Sequence, residues 1–572
     1  MAPESSAALA APARGFDAFR PLAGLLIAVL AALVALPFFW LCWYALTDAK
    51  GAFTTANFIA LATDPTMTKP FVLALAMAAC VSALSCAIAA PLAWLVARTD
   101  MPGRGAVRAL VMASYVTPPF LGAVAWEFLA APNSGLINQA WRWAFDLDPF
   151  DALVDIYTFE GLVFVIACYT FPYVFTLVAT ALDRVPTDLE EASAILGARG
   201  ARTLSRVTMP LVLPALLAGA LIAFLQALTM FGSPAILAMP AGFHVITTKI
   251  WSLFQYPPRL GLAAAASFPL LIITILLLRG QAWLLGRGNY AVVGGKSGRA
   301  RPTKLGAWRW PAAGFAGIVL GLTVALPYLA LLKTALTSEV AGPLTLDSLT
   351  LHNFHFVLFE LSSTRLALRN TFLLGFGAAT IGVVIALAAA WLVARGKSRL
   401  TGALGFLAMA PVAIPGVVLG VALFLSYSRP PLQLYGTLWI LLIAFLTIEM
   451  PAGYQQFASA LRGLHPELEE ASRILGASRL TVLRQITAPL LRANIVAAWC
   501  FIFIGAIREL SATILLTTSN TKLVSVIIYD LNESGDLGAI SVLGILLLVI
   551  TFAVVAVANR LPVLGGPPQA RG

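Results

Sequence analysis

Glu191-Ala192-Ser193-Ala194-Ile195-Leu196-Gly197-Ala198 is followed, 279 residues later, by Glu470-Ala471-Ser472-Arg473-Ile474-Leu475-Gly476-Ala477. Each stretch reaches a proline at the same distance, Pro210 and Pro489, where a long apolar run begins. Leu204 and Leu483 keep the same offset, as do Val207 and Ile486. A polar loop that occurs twice inside a hydrophobic chain implies two homologous membrane halves. Each half then offers the same handle to something in the water.

Composition supports the membrane assignment. Hydrophobic residues make up 60% of the 572 and charged residues 11%, against roughly 45–50% and about 25% in soluble domains. Twelve apolar runs, near 22–46, 70–97, 108–131, 158–181, 211–237, 260–278, 311–332, 370–394, 400–426, 436–460, 489–516 and 538–559, are long enough to cross a bilayer as helix. The net charge of +11 does not mark a nucleic-acid protein. With both termini placed in the cytosol, most Lys and Arg fall in cytosolic segments, whereas Asp and Glu show no such bias. That is the positive-inside pattern, without the clustered basic and aromatic surface that nucleic acid needs. The five cysteines, Cys42, Cys80, Cys86, Cys168 and Cys500, all lie in apolar runs without C-x-x-C spacing and read as small apolar fillers. Met1 to Arg20 carries no cleavable signal pattern, so the first span is expected to be retained.

Residues 279–310 hold Arg279, Arg287, Lys296, Arg299, Arg301, Lys304 and Arg309 with no acid, and read as a basic cytosolic linker. It joins a first half, 1–278, to a second, 311–572. Six spans per half is an even number, so the halves run in the same direction, a parallel repeat. Trp94-Leu95-Val96-Ala97-Arg98 and Trp391-Leu392-Val393-Ala394-Arg395 end the second and eighth spans. Phe224–Leu237 and Phe503–Leu516 are a further pair of equivalent stretches. The expected fold is an all-α integral membrane protein, about twelve transmembrane helices in two parallel-repeat six-span bundles.

Within each loop the sequence describes an elbow. Thr187-Asp188-Leu189-Glu190 has the hydroxyl-then-Glu spacing of a capping box, and Pro466 suits the first helical position of the second copy. Leu189, Ala192, Ile195 and Leu196 recur at helical spacing, as do Leu468, Ala471, Ile474 and Leu475. Gly197 and Gly476 stand where a left-handed residue ends each helix. A second short helix bearing Arg199, Arg202 and Arg206, or Arg479 and Arg484, then leads to the proline.

The pattern E-A-A/S, three residues, G, nine residues, I/V, one residue, L-P resembles the cytosolic loop of the membrane subunits of binding-protein-dependent ABC importers. It matches at Glu191, Ala192, Gly197, Val207 and Pro210, and at Glu470, Ala471, Gly476, Ile486 and Pro489. Ser193 and Ser472 replace the second Ala, and Met209 and Ala488 replace the Leu. The resemblance implies a type I ABC importer permease with coupling loops 187–209 and 466–488. Glu190, Glu191, Ala192, Gly197, Glu469, Glu470, Ala471 and Gly476 would engage two copies of a separate ATPase. It also implies a periplasmic substrate-binding protein, a place in the bacterial inner membrane, and no covalent chemistry on this chain. ATP and magnesium would sit on the partner. Gly295-Lys296-Ser297 looks like the tail of a phosphate loop, but position 290 is Tyr where the motif requires Gly.

Glu127, Glu449, Arg508 and Glu509 fall well inside apolar runs, where charge is expensive and signals function by default. They are the candidate translocation path. Adjacent residues point about 100° apart on a helix, so Glu509 is expected to face the path and Arg508 to pair with Glu449 or Glu127. A structural ion pair is an equally open reading. Arg508-Glu509-Leu510-Ser511-Ala512-Thr513 also looks like a segment of ferric-iron and oxyanion permeases, whereas its counterpart Phe231-Gly232-Ser233-Pro234-Ala235 lacks the charges. Phe231–Leu237 and Ile246–Trp251 look most like stretches of ferric-iron importers, and that resemblance implies ferric iron as the cargo. 2-Aminoethylphosphonate and thiamine remain alternatives. A different class, a proton-coupled secondary transporter, has a faint echo in Arg98-Thr99-Asp100-Met101-Pro102-Gly103-Arg104-Gly105. The acidic outer loop Asp146–Glu160 reads as solvated. His352 and His355 lack a third ligand at clear spacing, so no metal site is assigned.

Overall fold

The computed structural model describes residues 19–48, 50–198, 200–287, 302–338, 345–396 and 398–560. Among them every regular element is a helix, and no strand forms. Among the described residues nine helices are long and apolar enough to cross a membrane, and three sharply bent helix pairs, each taken as one span, bring the number to twelve. Each of the twelve lies on one of the apolar runs.

Two runs that read as continuous spans are broken. Arg104–Val116 and Pro119–Ala130 meet at 100°, and Arg399–Ala413 and Gly416–Tyr427 meet at 113°. The cause is proline, which lacks an N–H and drives the residue before it out of helical geometry. Thr117, before Pro118, has ψ 130, and Ile414, before Pro415, has ψ 110. The fifth and eleventh spans also stop earlier than hydropathy suggests, at Thr229 and Arg508. Met230 (φ −69, ψ 133) and Glu509 (φ −71, ψ 123) are extended there, at equivalent positions of the repeat. The carbonyls freed at these ends find hydroxyls from the helices that follow. Thr247 Oγ1 donates to Met230 O at 2.8 Å, and Ser525 Oγ donates to Glu509 O at 2.9 Å.

The first helix of each half leans on the other half. Tyr427 Oη donates to the carbonyl of Ala32 at 3.0 Å, and Tyr328 of the seventh span shares a hydrogen bond with Thr117. The two bundles are thereby interlocked. Exposed tryptophans mark two levels, with Trp283, Trp308 and Trp310 on the side of the elbows and Trp43, Trp143 and Trp439 on the far side. Such belts are where amphipathic rings sit at membrane–water interfaces. Of the basic linker, 279–287 continues the helix Leu260–Arg287, and 288–301 lies outside the described residues. Its end docks on the loop after the second span, where Asp100 Oδ1 accepts the Leu305 N–H at 2.8 Å.

Candidate coupling elbows and translocation cavity

The first elbow runs Thr187–Ile195, a turn at Gly197, Gly200–Thr203 and a π-turn Leu204–Thr208, then enters the fifth span. The second repeats it as Glu467–Ile474, a turn at Gly476, Arg479–Val482 and Leu483–Thr487. Gly197 and Gly476 have φ +79 and +91, the left-handed geometry the sequence called for. Arg199 lies outside the described residues.

One carboxylate fastens each elbow. Glu190 Oε1 accepts from Arg98 Nη2 at 3.1 Å and from Thr208 Oγ1 at 2.8 Å. Glu469 accepts from Arg395 Nε at 2.9 Å and Nη2 at 3.2 Å, and from Thr487 Oγ1 at 2.8 Å. Arg98 and Arg395 end the second and eighth spans, while Thr208 and Thr487 open the fifth and eleventh. Each elbow is therefore tied to two spans through a charged, hydrogen-bonded joint. The expected cap rests on the Thr187 side chain, which lies outside the described residues. Arg98 and Asp100, which supplied the echo of a secondary transporter, are occupied in holding the elbow and the linker.

Glu191 and Glu470 point into solvent, as do Ala192, Ala471 and both glycines. The tips expose apolar side chains: Ile195 is 85% exposed, Leu196 87%, Ile474 86% and Leu475 89%. Two copies of the same apolar knob, each rimmed by carboxylates, are surfaces that lack a partner among the described residues.

Between the halves lies a cavity of about 770 Å³. It runs from Ala497 and Ala558, near the elbow ends of their helices, to the break at Arg508–Ser511. Tyr115, Tyr173 and Met230 line it from the first half, and Glu449, Arg508 and Glu509 from the second. Glu449 is 9% exposed, and its carboxylate packs on the backbone of Gly505, where any Cβ would collide with it. Glu509 Oε1 accepts the Ala512 N–H at 2.8 Å and so caps the short helix Thr513–Leu516. The structure thus gathers three of the four intramembrane charges. Arg508 does not turn away to an anchor: it ends its helix at the break, lines the cavity beside Glu509, and makes no ion pair within 4.0 Å among the described residues.

Glu127 is elsewhere. Tyr157 Oη and Asn532 Nδ2 each donate to its carboxylate at 2.7 Å, which joins the two halves on the far side. Beside it Phe231 and Trp251 of the first half pack against Tyr529 of the second, with ring centroids 6.1–6.2 Å apart. These contacts join the two halves on the far side, whereas the cavity extends toward the elbows. His355 Nδ1 meets Glu360 Oε1 at 2.9 Å on the surface. Among the described residues no three His, Cys, Asp or Glu stand as a metal cluster.

The sequence profile of the binding-protein-dependent transport system inner membrane component family matches residues 7–287 and again 381–562. The chain belongs to this family. The permease carries the type I fold twice, and it is a multi-pass inner-membrane protein. It is 28% identical over 453 residues to the ferric transport system permease protein of Actinobacillus pleuropneumoniae, covering 77% of this chain and 63% of that one. A probable ABC transporter permease protein of Sinorhizobium fredii is 26% identical over 485 residues, covering 82% of this chain and 83% of the relative. A putative 2-aminoethylphosphonate transport system permease protein of Salmonella paratyphi A is 30% identical over 151 residues, 26% of this permease and 57% of the relative. The permease thus spans somewhat under two thirds of the length of the ferric relative. Sequence had not connected the repeated Arg98 and Arg395 to the elbows, nor placed Tyr115 and Tyr173 at the cavity, although both arginines stood in a visible repeat.

Proposed function

We propose that this permease forms the membrane passage of an ATP-driven ferric iron importer. Two copies of a separate ATPase seat the knobs at 187–209 and 466–488, and a periplasmic binding protein delivers the cargo to the far side. The observation that carries this reading is the pair of elbows. Each exposes an apolar tip and is tied by one carboxylate to two spans, so closure of a docked ATPase dimer would move both halves at once. Both termini and both elbows lie in the cytosol, and ATP and magnesium belong to the partner. The far-side contacts of Glu127, Tyr157 and Asn532 and the cavity on the elbow side correspond to the inward-facing form of an alternating-access cycle. Ferric iron is taken from the named ferric relatives, and it accords with the hard oxygen donors Glu449, Glu509, Tyr115 and Tyr173 along the cavity.

The test is uptake of radiolabelled ferric iron into proteoliposomes holding the permease with its ATPase and binding protein. The expected result is uptake that requires ATP and is indifferent to a protonophore. Uptake driven by a proton gradient without ATP would overturn the importer reading. ATP-driven uptake of thiamine or 2-aminoethylphosphonate, but not of iron, would overturn the cargo alone.

A further inference from the structure

An arginine and a buried glutamate line the cavity with no hydrogen bond or ion pair between them among the described residues. Glu449 is nine-tenths buried, and among the described residues no hydrogen bond or ion pair reaches its carboxylate. The guanidinium of Arg508 is likewise without a hydrogen bond or ion pair among the described residues. Both nevertheless line the same cavity, with Glu509 as a further neighbour. Unpaired charge in so apolar a place is costly, and two such groups of opposite sign would ordinarily close on each other. They are held apart by their supports. Glu449 is seated on Gly505, one turn before Arg508 on the same helix, and Glu509 is engaged by the Ala512 N–H.

We propose that Arg508, Glu449 and Glu509 form a dipolar cargo site, in which a solute that joins a cationic centre to an anionic group bridges the guanidinium and the carboxylates. A bare metal cation would leave Arg508 without an anionic partner, and a bare oxyanion would be repelled by two carboxylates. A solute of both signs satisfies all three groups and relieves the burial cost only while it is bound. Two sources share this chemistry: a ferric ion carrying a coordinated oxyanion, and a zwitterionic aminophosphonate. The site rests on the transport reading above, and it deepens that reading by requiring that iron, if it is the cargo, passes with an anion.

The test uses the full permease in lipid nanodiscs with two probes. One is terbium(III) with citrate, a hard trivalent ion whose emission is sensitised by nearby tyrosines, here Tyr115 and Tyr173. The other is 2-aminoethylphosphonate, followed by calorimetry. Glu449→Gln and Arg508→Gln are each expected to weaken the bound probe by about tenfold or more, the loss of one charge-assisted contact. Glu449→Asp and Arg508→Lys keep the charges and are expected to stay within about threefold of the parent. Arg508→Gln should also remove the dependence of terbium binding on citrate. A response confined to terbium–citrate identifies the metal–anion source, and one confined to the aminophosphonate identifies the zwitterion. Unchanged binding of both probes in both Gln variants overturns the site. So does an equal loss in the charge-keeping and charge-removing variants, which marks a structural role. Failure of the parent proteoliposomes to import iron would instead count against the proposed cargo, whatever the probes show.

Discussion

The two elbows and the two helix breaks descend from the same duplication, yet they have diverged differently. At the elbows both backbone and chemistry are retained, down to a Glu held by an Arg from one span and a Thr from another. At the breaks only the backbone is retained. Met230 and Glu509 are both extended and both have their carbonyls taken by a hydroxyl, but one side chain is a thioether and the other a carboxylate. In the proposed importer the elbows receive two identical partners, and such a surface keeps its chemistry in both copies. A passage lined by one surface from each half does not, because the cargo meets the sum of the two. A smaller difference exists within the elbows. Arg395 grips its carboxylate through Nε and Nη2, whereas Arg98 uses Nη2 alone and leaves Nε buried without a partner.

The strongest way to break this comparison is to remove the joints. Arg98→Ala and Arg395→Ala each leave a partly buried carboxylate unpaired, a loss of about 3–5 kcal/mol in buried pairs. ATP-driven uptake in proteoliposomes is expected to fall to background in both, with Arg395→Ala the less stable in thermal denaturation because it gives up two bonds to its carboxylate where Arg98→Ala gives up one. Normal uptake by either variant would show that the elbows do not carry the same load. Next come the knobs. Ile195→Asp with Leu196→Asp, or the same change at Ile474 and Leu475, removes apolar surface worth about 1.5–3 kcal/mol per side chain when buried by a partner. Because the tips are exposed, melting temperature should not change, while co-purification of the ATPase drops by at least about tenfold. Retained association would place the docking surface elsewhere.

The elbows were legible in the sequence because their signal is local: a repeated spacing and a glycine that must turn left. The span count was legible for the same reason, since hydropathy is read run by run. Hydropathy is blind to direction, however, so the turns of 100° and 113° inside two apolar runs did not register, although Pro118 and Pro415 cause them. The grip of Arg98 on Glu190 did not register, because the two stand 92 residues apart in the chain. Arg508 was read as half of a pair, on the assumption that its helix continued through Glu509. It ends at Arg508, and the side chain faces a cavity that only the assembled halves create.

A milder change sharpens the comparison between the two glycines. At both positions an added Cβ would meet nothing within 4 Å, so only the positive φ resists substitution. Gly197→Ala and Gly476→Ala should each cost roughly 1–2 kcal/mol locally. That tilts the knob without removing it. Coupling, measured as substrate-stimulated ATP hydrolysis, is expected to fall several-fold in both variants and by similar amounts. A large loss in one half only would show that the identical backbones do not serve identical docking.

The smallest effect belongs to Glu191 and Glu470, and it tests how much one carboxylate differs from its neighbour. Glu190 and Glu191 are adjacent and identical in type, as are Glu469 and Glu470. The first of each pair is fixed by an arginine and a threonine, and the second is solvated with no partner among the described residues. Burial makes the first a joint. Exposure leaves the second only its field, which salt screens over about 10 Å at 0.1 M. Glu191→Lys or Glu470→Lys should therefore leave stability unaltered and weaken ATPase association by no more than about two- to fivefold, the range of an exposed ion pair. The double change should add the two losses, since the elbows lie in separate halves and share no partner. Raising the salt to about 0.5 M should erase the difference from the parent, because the parent loses the same attraction. A loss that survives high salt would mean that Glu191 and Glu470 are desolvated on docking. They would then be part of the joint with the ATPase, as Glu190 and Glu469 are part of the joint with the spans.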